Sequence, residues 1–202
     1  MITIRKAEIS DAAFIAEGIF RAFLLEEDQT TPENKETAES GDSLRQEWMK
    51  VLTNVCAQAD THYSYTNTFI AKLDGEIAGM MIAVDGKNYR FQREKMYPQL
   101  KGLFDIAFGK SWEEMEDEAN PGEYYIDSLS VSPEYRHHGV GTALIEHAKE
   151  QANALGIERV TLAVEPMNSA KMLYQRMGFG YERDITIFNE VYHLYVNKIK
   201  FL

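Results

Sequence analysis

The sequence predicts an α/β fold, one sheet flanked by helices, and three observations predict it. Runs with the period or apolar density of strands, at 2–5, 63–73, 76–84, 124–131, 159–164, 184–188 and 192–199, are interrupted by runs of helical period. Asp74-Gly75 stands between two of the strand runs as a tight hairpin turn, so those two strands pair antiparallel. The chain of 202 residues is long enough for one well-buried domain and too short for two full ones.

Taken in order, Ile2-Thr3-Ile4-Arg5 alternates as a half-buried strand. Ser10-Asp11 then offers cap chemistry before Ala12, Ile15, Ile19, Ala22 and Phe23 recur at helical spacing. Residues 26–41 turn polar and acidic around Pro32 and read as a loop. Ser43 and Gln46, at capping-box spacing, open a second helix with Leu44, Trp48, Val51, Leu52 and Val55 on one face. After the hairpin comes a long excursion, about 85–122, with Tyr89, Met96, Leu100, Phe104 and Phe108 at irregular helical spacing. Pro98 reads there as the start of a second short helix, since proline fits a first turn and not an interior. Residues 112–118 are strongly acidic, either a solvated helix end or a substrate-facing surface.

The strand Tyr124–Val131 is closed by Ser132-Pro133. Directly after it comes Arg136-His137-His138-Gly139-Val140-Gly141-Thr142-Ala143, and then a helix to Leu155 with Leu144, Ala148, Ala152 and Leu155 on one face and Gly156 as its left-handed cap. Arg159–Val164 is dense in β-branched residues, as a buried strand is. Asn168 can cap a further helix with Ala170, Leu173 and Met177 inward and Gly178 at its end, and two strands close the sheet. No repeat or linker divides the chain, so it is expected to be a single domain over 1–202.

The glycine loop is where chemistry first becomes legible. Two glycines one residue apart allow a tight turn and leave backbone N–H groups uncovered where a helix begins and its first amides point outward. The helix dipole and Arg136 add positive potential, so a pyrophosphate suits the place; the competing reading is a turn that needs glycine only for its dihedral angles. A dinucleotide fingerprint would need glycine where Leu144 stands, and a Walker loop would need Gly-Lys-Ser/Thr, which is absent.

With its preceding strand and following helix, this run resembles the pyrophosphate signature of the GNAT superfamily of N-acetyltransferases, Gln/Arg-x-x-Gly-x-Gly/Ala, with Arg136, Gly139 and Gly141 at its fixed positions. The segment Asn168-Ser169-Ala170-Lys171-Met172-Leu173-Tyr174 before Gly178-Phe179 extends the resemblance along nearly the whole chain. It implies a mixed, mostly antiparallel central sheet, flanked by helices, whose parallel central strands splay to admit acetyl-CoA. It also implies a pantetheine arm along Leu129, Ser130 and Val131, and a pyrophosphate on the backbone of Arg136, His137, His138, Gly139, Val140, Gly141 and Thr142. Asn168 and Lys171 are implied on the cofactor side. The excursion near 85–122 departs from the hairpin common in similar proteins and is either a lid over the acceptor or packing on the sheet edge.

Acetyl transfer to an amine needs a proton acceptor, a place for the developing oxyanion and a donor to the departing thiolate. Tyr174 is the candidate acid by the resemblance, since a phenol keeps its proton at neutral pH. Asp127 is the candidate base, directly or through water, with Glu123, Tyr125 and Ser128 as competitors on the same strand. These residues point to an N-acetyltransferase moving acetyl from acetyl-CoA to a primary amine by direct attack in a ternary complex. A non-catalytic acetyl-CoA-binding module and a protein or peptide N-acetyltransferase are the rivals.

Composition narrows the rest. A net charge of −11 argues against a nucleic-acid partner and favours a cationic acceptor, to which Glu26, Glu27, Asp28, Glu33, Glu36, Glu39 and the acidic run Glu113, Glu114, Glu116, Asp117 and Glu118 would contribute. No apolar run approaches the roughly 18 residues of a membrane span, and the first residues lack a secretion signal, so the expected location is cytoplasmic. Cys56 falls on an apolar helical face as a buried thiol, and the histidines make no metal constellation, so no metal is expected. A homodimer is compatible with the sequence.

Overall fold

The computed structural model describes residues 1–23, 35–108, 117–187 and 190–200, and of residues 23, 35–44 and 103–108 the backbone alone. The elements are β1 (Ile2–Lys6), α1 (Ala12–Phe23), α2 (Lys35–Cys56), β2 (Thr68–Leu73), β3 (Glu76–Asp85), α3 (Gly86–Phe108), β4 (Glu123–Val131), α4 (Val140–Ala154), β5 (Arg159–Val164), α5 (Lys171–Arg176), β6 (Gly180–Ile187) and β7 (Glu190–Lys198).

The strands form one seven-stranded sheet in the order β1-β2-β3-β4-β5-β7-β6. Every neighbouring pair is antiparallel except β4 with β5. Alternation along the strands divides the apolar side chains between two layers. Ile70, Met80 and Ile82 pack with Ile15, Ile19, Leu52 and Val55 of α1 and α2. Phe69, Ala71, Met81 and Ala83 pack with Leu144, Ile145 and Ala148 of α4 on the other side. The β2–β3 turn is the expected tight one, with positive φ at both Asp74 (52°) and Gly75 (96°), the dihedrals that match the twist of a two-residue hairpin.

Three expectations are corrected. Helix α2 begins at Lys35, not at Ser43, so the polar residues 35–41 are helical and Ser43 lies inside the helix rather than at its cap. Its inward face is the one expected, with Trp48, Leu52 and Val55 buried. Helix α3 runs unbroken through Pro98. Buried Met96, Tyr97 and Leu100 hold the turn around the proline against the α1–α2 layer, and tertiary packing outweighs the one backbone hydrogen bond that proline forfeits. Leu155 is 54% exposed, while Ile145 takes the inward place on α4. Residues 24–34, with Pro32, and 109–116 lie outside the described residues.

One irregularity in the sheet opens its centre. β4 pairs with β5 only from Glu123↔Arg159 to Ile126↔Leu162. On its other side the register against β3 slips between Ile82 and Ala83, which face Ser128 and Ile126, so Asp127 is the extra residue of a β-bulge. The bulge reverses the phase of the strand: Tyr124 and Ile126 point into the α4-side core before it, and Leu129 and Val131 after it. From Asp127 onward β4 has β3 as its neighbour on one edge and an open cleft on the other.

Candidate active site

The cleft left by the departing strands has a volume of about 1010 Å³. Its walls are the unpaired stretch of β4, the loop and first turn of α4, the segment leading into α5, and one turn of α1. Leu129, Ser130 and Val131 line it, as do Arg136, His137, Gly139, Val140, Gly141 and Thr142. Gly139 is the residue before the helix and has φ 83°, a conformation that a side chain disfavours. Gly141 plays a different part: a Cβ there would meet Leu173 at 3.4 Å and Leu129 at 3.7 Å, ordinary contact, so its lack of a side chain serves access to the cleft rather than the turn. The first amides of α4 have no helical acceptor and open on this cleft. His137 also takes a positive φ, 65°, so the turn depends on more than its glycines.

His138 and Lys171 are not brought into the lining. The His138 ring nitrogen Nδ1 pairs with the Arg136 carbonyl at 2.8 Å, and the Lys171 ammonium donates to the Pro166 carbonyl. Asn168 lines the cleft and uses its Oδ1 to accept the Ala170 N–H at 2.9 Å, capping the turn that precedes α5. That turn carries Tyr174 to the cleft wall, its ring edge-on to Phe179 with centroids 6.2 Å apart. Burial pushes the Tyr174 phenol up to about 12, because the surroundings penalise its anion.

The bulged residue Asp127 lines the same cleft, and both of its oxygens are engaged. Oδ1 lies 2.8 Å from His62 Nε2, and Oδ2 accepts from Ser128 Oγ at 2.7 Å. The competing strand residues have other tasks. Glu123 pairs with Arg159 at 3.1 Å outside the cleft lining, and Tyr125 donates its hydroxyl to Glu118 Oε2 at 2.6 Å. Burial, with the nearby Asp127 charge, pushes the Glu118 carboxyl above the usual glutamate range. The described end of the acidic run is therefore part of the site and not a solvated helix end: Glu118 lines the cleft, and Asp117 pairs with Arg93 of α3 at 3.0 Å. The acidic residues proposed from the first loop, and Glu113, Glu114 and Glu116, lie outside what the structure describes of side chains.

A sequence model of the acetyltransferase (GNAT) family matches residues 22–179, well over half the chain. The chain belongs to the GNAT acetyltransferase family. The family uses acetyl-CoA, and in this GNAT chain an open strand edge and a helix start line one cleft. It is 36% identical over 88 residues to the human cysteine-rich protein 2-binding protein, a match covering 44% of this chain and 10% of that one. The chain thus spans about a tenth of that relative's length. In three dimensions it is similar to a crystal structure described as an acetyltransferase, with TM-score 0.69, 23% identity, 98% of this chain and all of the other covered. An N-acetyltransferase from Staphylococcus aureus Mu50 is similar to the same degree, TM-score 0.69 at 20% identity over 96% of this chain and 100% of that one.

Several cleft residues of this GNAT protein carry no motif. Arg21 reaches from α1 to Ser130 Oγ at 3.3 Å, and Glu165 accepts from Tyr192 at 3.4 Å, both at the cleft wall. His62, behind Asp127, sits in a run that reads as the lead-in to a strand. Only its position in space marks it.

Proposed function

We propose that the protein transfers acetyl from acetyl-CoA to the primary amine of a small, cationic acceptor, by direct attack with both substrates bound in the cleft. The observation that carries the reading is that one cleft, opened where β4 leaves β5, is lined both by the start of α4 and by the three carboxylates Glu118, Asp127 and Glu165. The first amides of α4 and the Arg136 guanidinium are suited to the pyrophosphate of CoA. Backbone groups of Leu129–Val131, freed from strand pairing on one edge, are suited to the pantetheine amides and the developing oxyanion.

Asp127 accepts, directly or through a water, the proton that the acceptor's ammonium must lose before the neutral amine can attack the thioester carbonyl. Tyr174 keeps its proton throughout the working pH range and donates a hydrogen bond to the departing thiolate. With the phenol held near 12 and an ordinary thiol near 8.5, full proton transfer is uphill, so its contribution is stabilisation of developing charge. Glu118 and Glu165, each joined to a tyrosine hydroxyl, supply the negative potential that draws a cationic acceptor.

The test is release of CoA thiol with spermidine, cadaverine, tyramine, glycinamide, glutamate and a lysine-containing peptide, each at low and high salt. Cationic small amines should react fastest, and their kcat/KM should fall with salt. Preference for glutamate or the peptide, or no salt effect on the cations, would overturn the acceptor class. No turnover with any amine would overturn the activity.

A further inference from the structure

We propose that His62 is a positioning residue for acetyl transfer, holding the Asp127 carboxylate in the one orientation from which it can take the acceptor's proton. The inference rests on the reading of Asp127 as the proton acceptor. His62 and Asp127 side chains are each only 3% exposed, and their Nε2–Oδ1 separation is 2.8 Å. A carboxylate can only accept, so the bond places the imidazole proton on Nε2. Ser128 Oγ donates to the second oxygen, and the two donors together fix the rotation of a side chain that stands on a bulge, the one place in β4 where the ladder does not fix it.

His62 is itself held in place through its backbone and its ring faces. The Asn67 amide donates to the His62 carbonyl at 3.0 Å and to the Thr61 carbonyl at 3.1 Å, and Thr61 Oγ1 donates to Val55 at the end of α2. Its ring stands edge-on to Tyr89 of α3, centroids 4.8 Å apart, and tilted against Tyr63 at 5.4 Å. His62 does not line the cleft, whereas Asp127 does, so His62 acts through Asp127. Stability alone is a poor account of this arrangement. A buried ionisable pair roughly offsets its own desolvation, and no described residue offers a hydrogen-bond partner to His62 Nδ1. An apolar residue would fill the same space without that cost. What the histidine adds is a donor at a fixed point behind the carboxylate.

The experiment uses the full chain and the fastest amine of the panel above. His62→Leu should lower kcat about 10-fold to 100-fold, the cost of a misplaced reacting group, with the KM for acetyl-CoA unchanged. His62→Gln, whose amide nitrogen can reach the Nε2 position, should recover most of that loss. His62→Asn, which can reach only the Nδ1 position, should not recover it. In an Asp127→Asn background, His62→Leu should have no further effect. If His62→Leu does not fold, the Gln and Asn variants decide alone. Equal kcat for Gln and Asn, wild-type kcat in a folded Leu variant, or an undiminished His62 effect on top of Asp127→Asn would each overturn the inference. Full activity of Asp127→Asn by itself would instead overturn the role given to Asp127.

Discussion

The Tyr125 hydroxyl donates to Glu118 Oε2 at 2.6 Å, joining the central strand to the chain that returns from α3. The insertion therefore does more than cover a sheet edge: it delivers a carboxyl into the cleft. Hydrogen bonds to charged groups contribute about 1.5–3 kcal/mol, so Glu118→Gln should lower kcat/KM for a cationic amine about 10-fold to 100-fold and leave the KM for acetyl-CoA near its original value. Burial and Asp127 hold Glu118 toward its protonated form, and a cation is bound by the ionised form. The kcat/KM for cations should therefore rise with pH at values above the ordinary glutamate range in the parent protein, and that rise should be missing in the Gln variant. An identical profile in both would remove Glu118 from acceptor binding.

Gly139 and Gly141 should respond differently to substitution. At Gly139, φ 83° makes alanine costly by about 1–2 kcal/mol, visible as a lower melting temperature. At Gly141 a side chain meets only ordinary contacts, so Gly141→Asp should fold. Like charges about 4 Å apart repel by roughly 1–4 kcal/mol between water and a protein surface, so its acetyl-CoA affinity should drop about tenfold or more. Calorimetry showing unchanged affinity in a folded Gly141→Asp protein would displace the pyrophosphate from this loop.

Tyr174→Phe removes a hydrogen-bond donor and almost no packing volume. Loss of one donor to developing charge costs about 100-fold to 1000-fold in turnover, and acetyl-CoA affinity should barely move. Because burial holds the phenol near 12, the parent's rate should show no decline from Tyr174 ionisation below about pH 10. A Phe variant with parental kcat would leave Tyr174 as wall packing against Phe179.

Alkaline stability follows from the same burial. Desolvation raises the phenols of Tyr63, Tyr89, Tyr97 and Tyr125 well above their ordinary value, and Tyr174 to about 12. In the unfolded chain these groups ionise near 10, so above that pH the unfolded state binds fewer protons than the folded one. Their contribution is fully present below about pH 10 and is lost as the pH climbs through the folded values. Melting temperature should be flat with respect to these groups up to about pH 9.5 and fall steeply beyond it, with phenolate absorbance appearing together with unfolding. Phenolate absorbance rising fully near pH 10 in the folded protein would contradict the burial.

At the N-terminal end, Asp11 is buried, accepts both arms of the Arg5 guanidinium at 2.7 and 2.9 Å, and accepts the Glu8 N–H at 2.7 Å. Asp11→Ala should cost about 1.5–3 kcal/mol of stability in urea unfolding, and no measurable loss would show that the fork is ornamental to the fold.

What the sequence determined by itself is what local rules govern. Alternation and apolar density placed the strands, but not all of their ends: β2 begins at Thr68 and not at Tyr63, because 65–67 form a short 3-10 turn, and β6 begins at Gly180. The positive-φ demand of a hairpin placed Asp74-Gly75, and a glycine pair ahead of an amphipathic run placed the start of α4. The bounds of β5, Arg159–Val164, were legible to the residue because a buried strand is dense in apolar and β-branched residues, here Val160, Thr161, Leu162 and Val164. Where a local signal competed with packing, the reading failed. Pro98 and Ser43 announce helix starts by propensity, yet both lie within longer helices, and around Pro98 the reason is that Met96, Tyr97 and Leu100 on either side of it are buried together.

The site divides along the same line. Asp127 and Tyr174 were legible through the motifs that flank them, but the phase reversal at Asp127 arises from pairing with β3, a partner strand that no window of sequence contains. His62 and Glu118 lie far from Asp127 along the chain and carry no spacing that links them to it. Only the folding of the segment after α2 behind β4, and of the chain after α3 beside it, puts an imidazole at 2.8 Å from Asp127 and a carboxyl at 2.6 Å from the Tyr125 hydroxyl. Hydrogen bonds of that kind depend on distance in space, and the tertiary structure alone decides it.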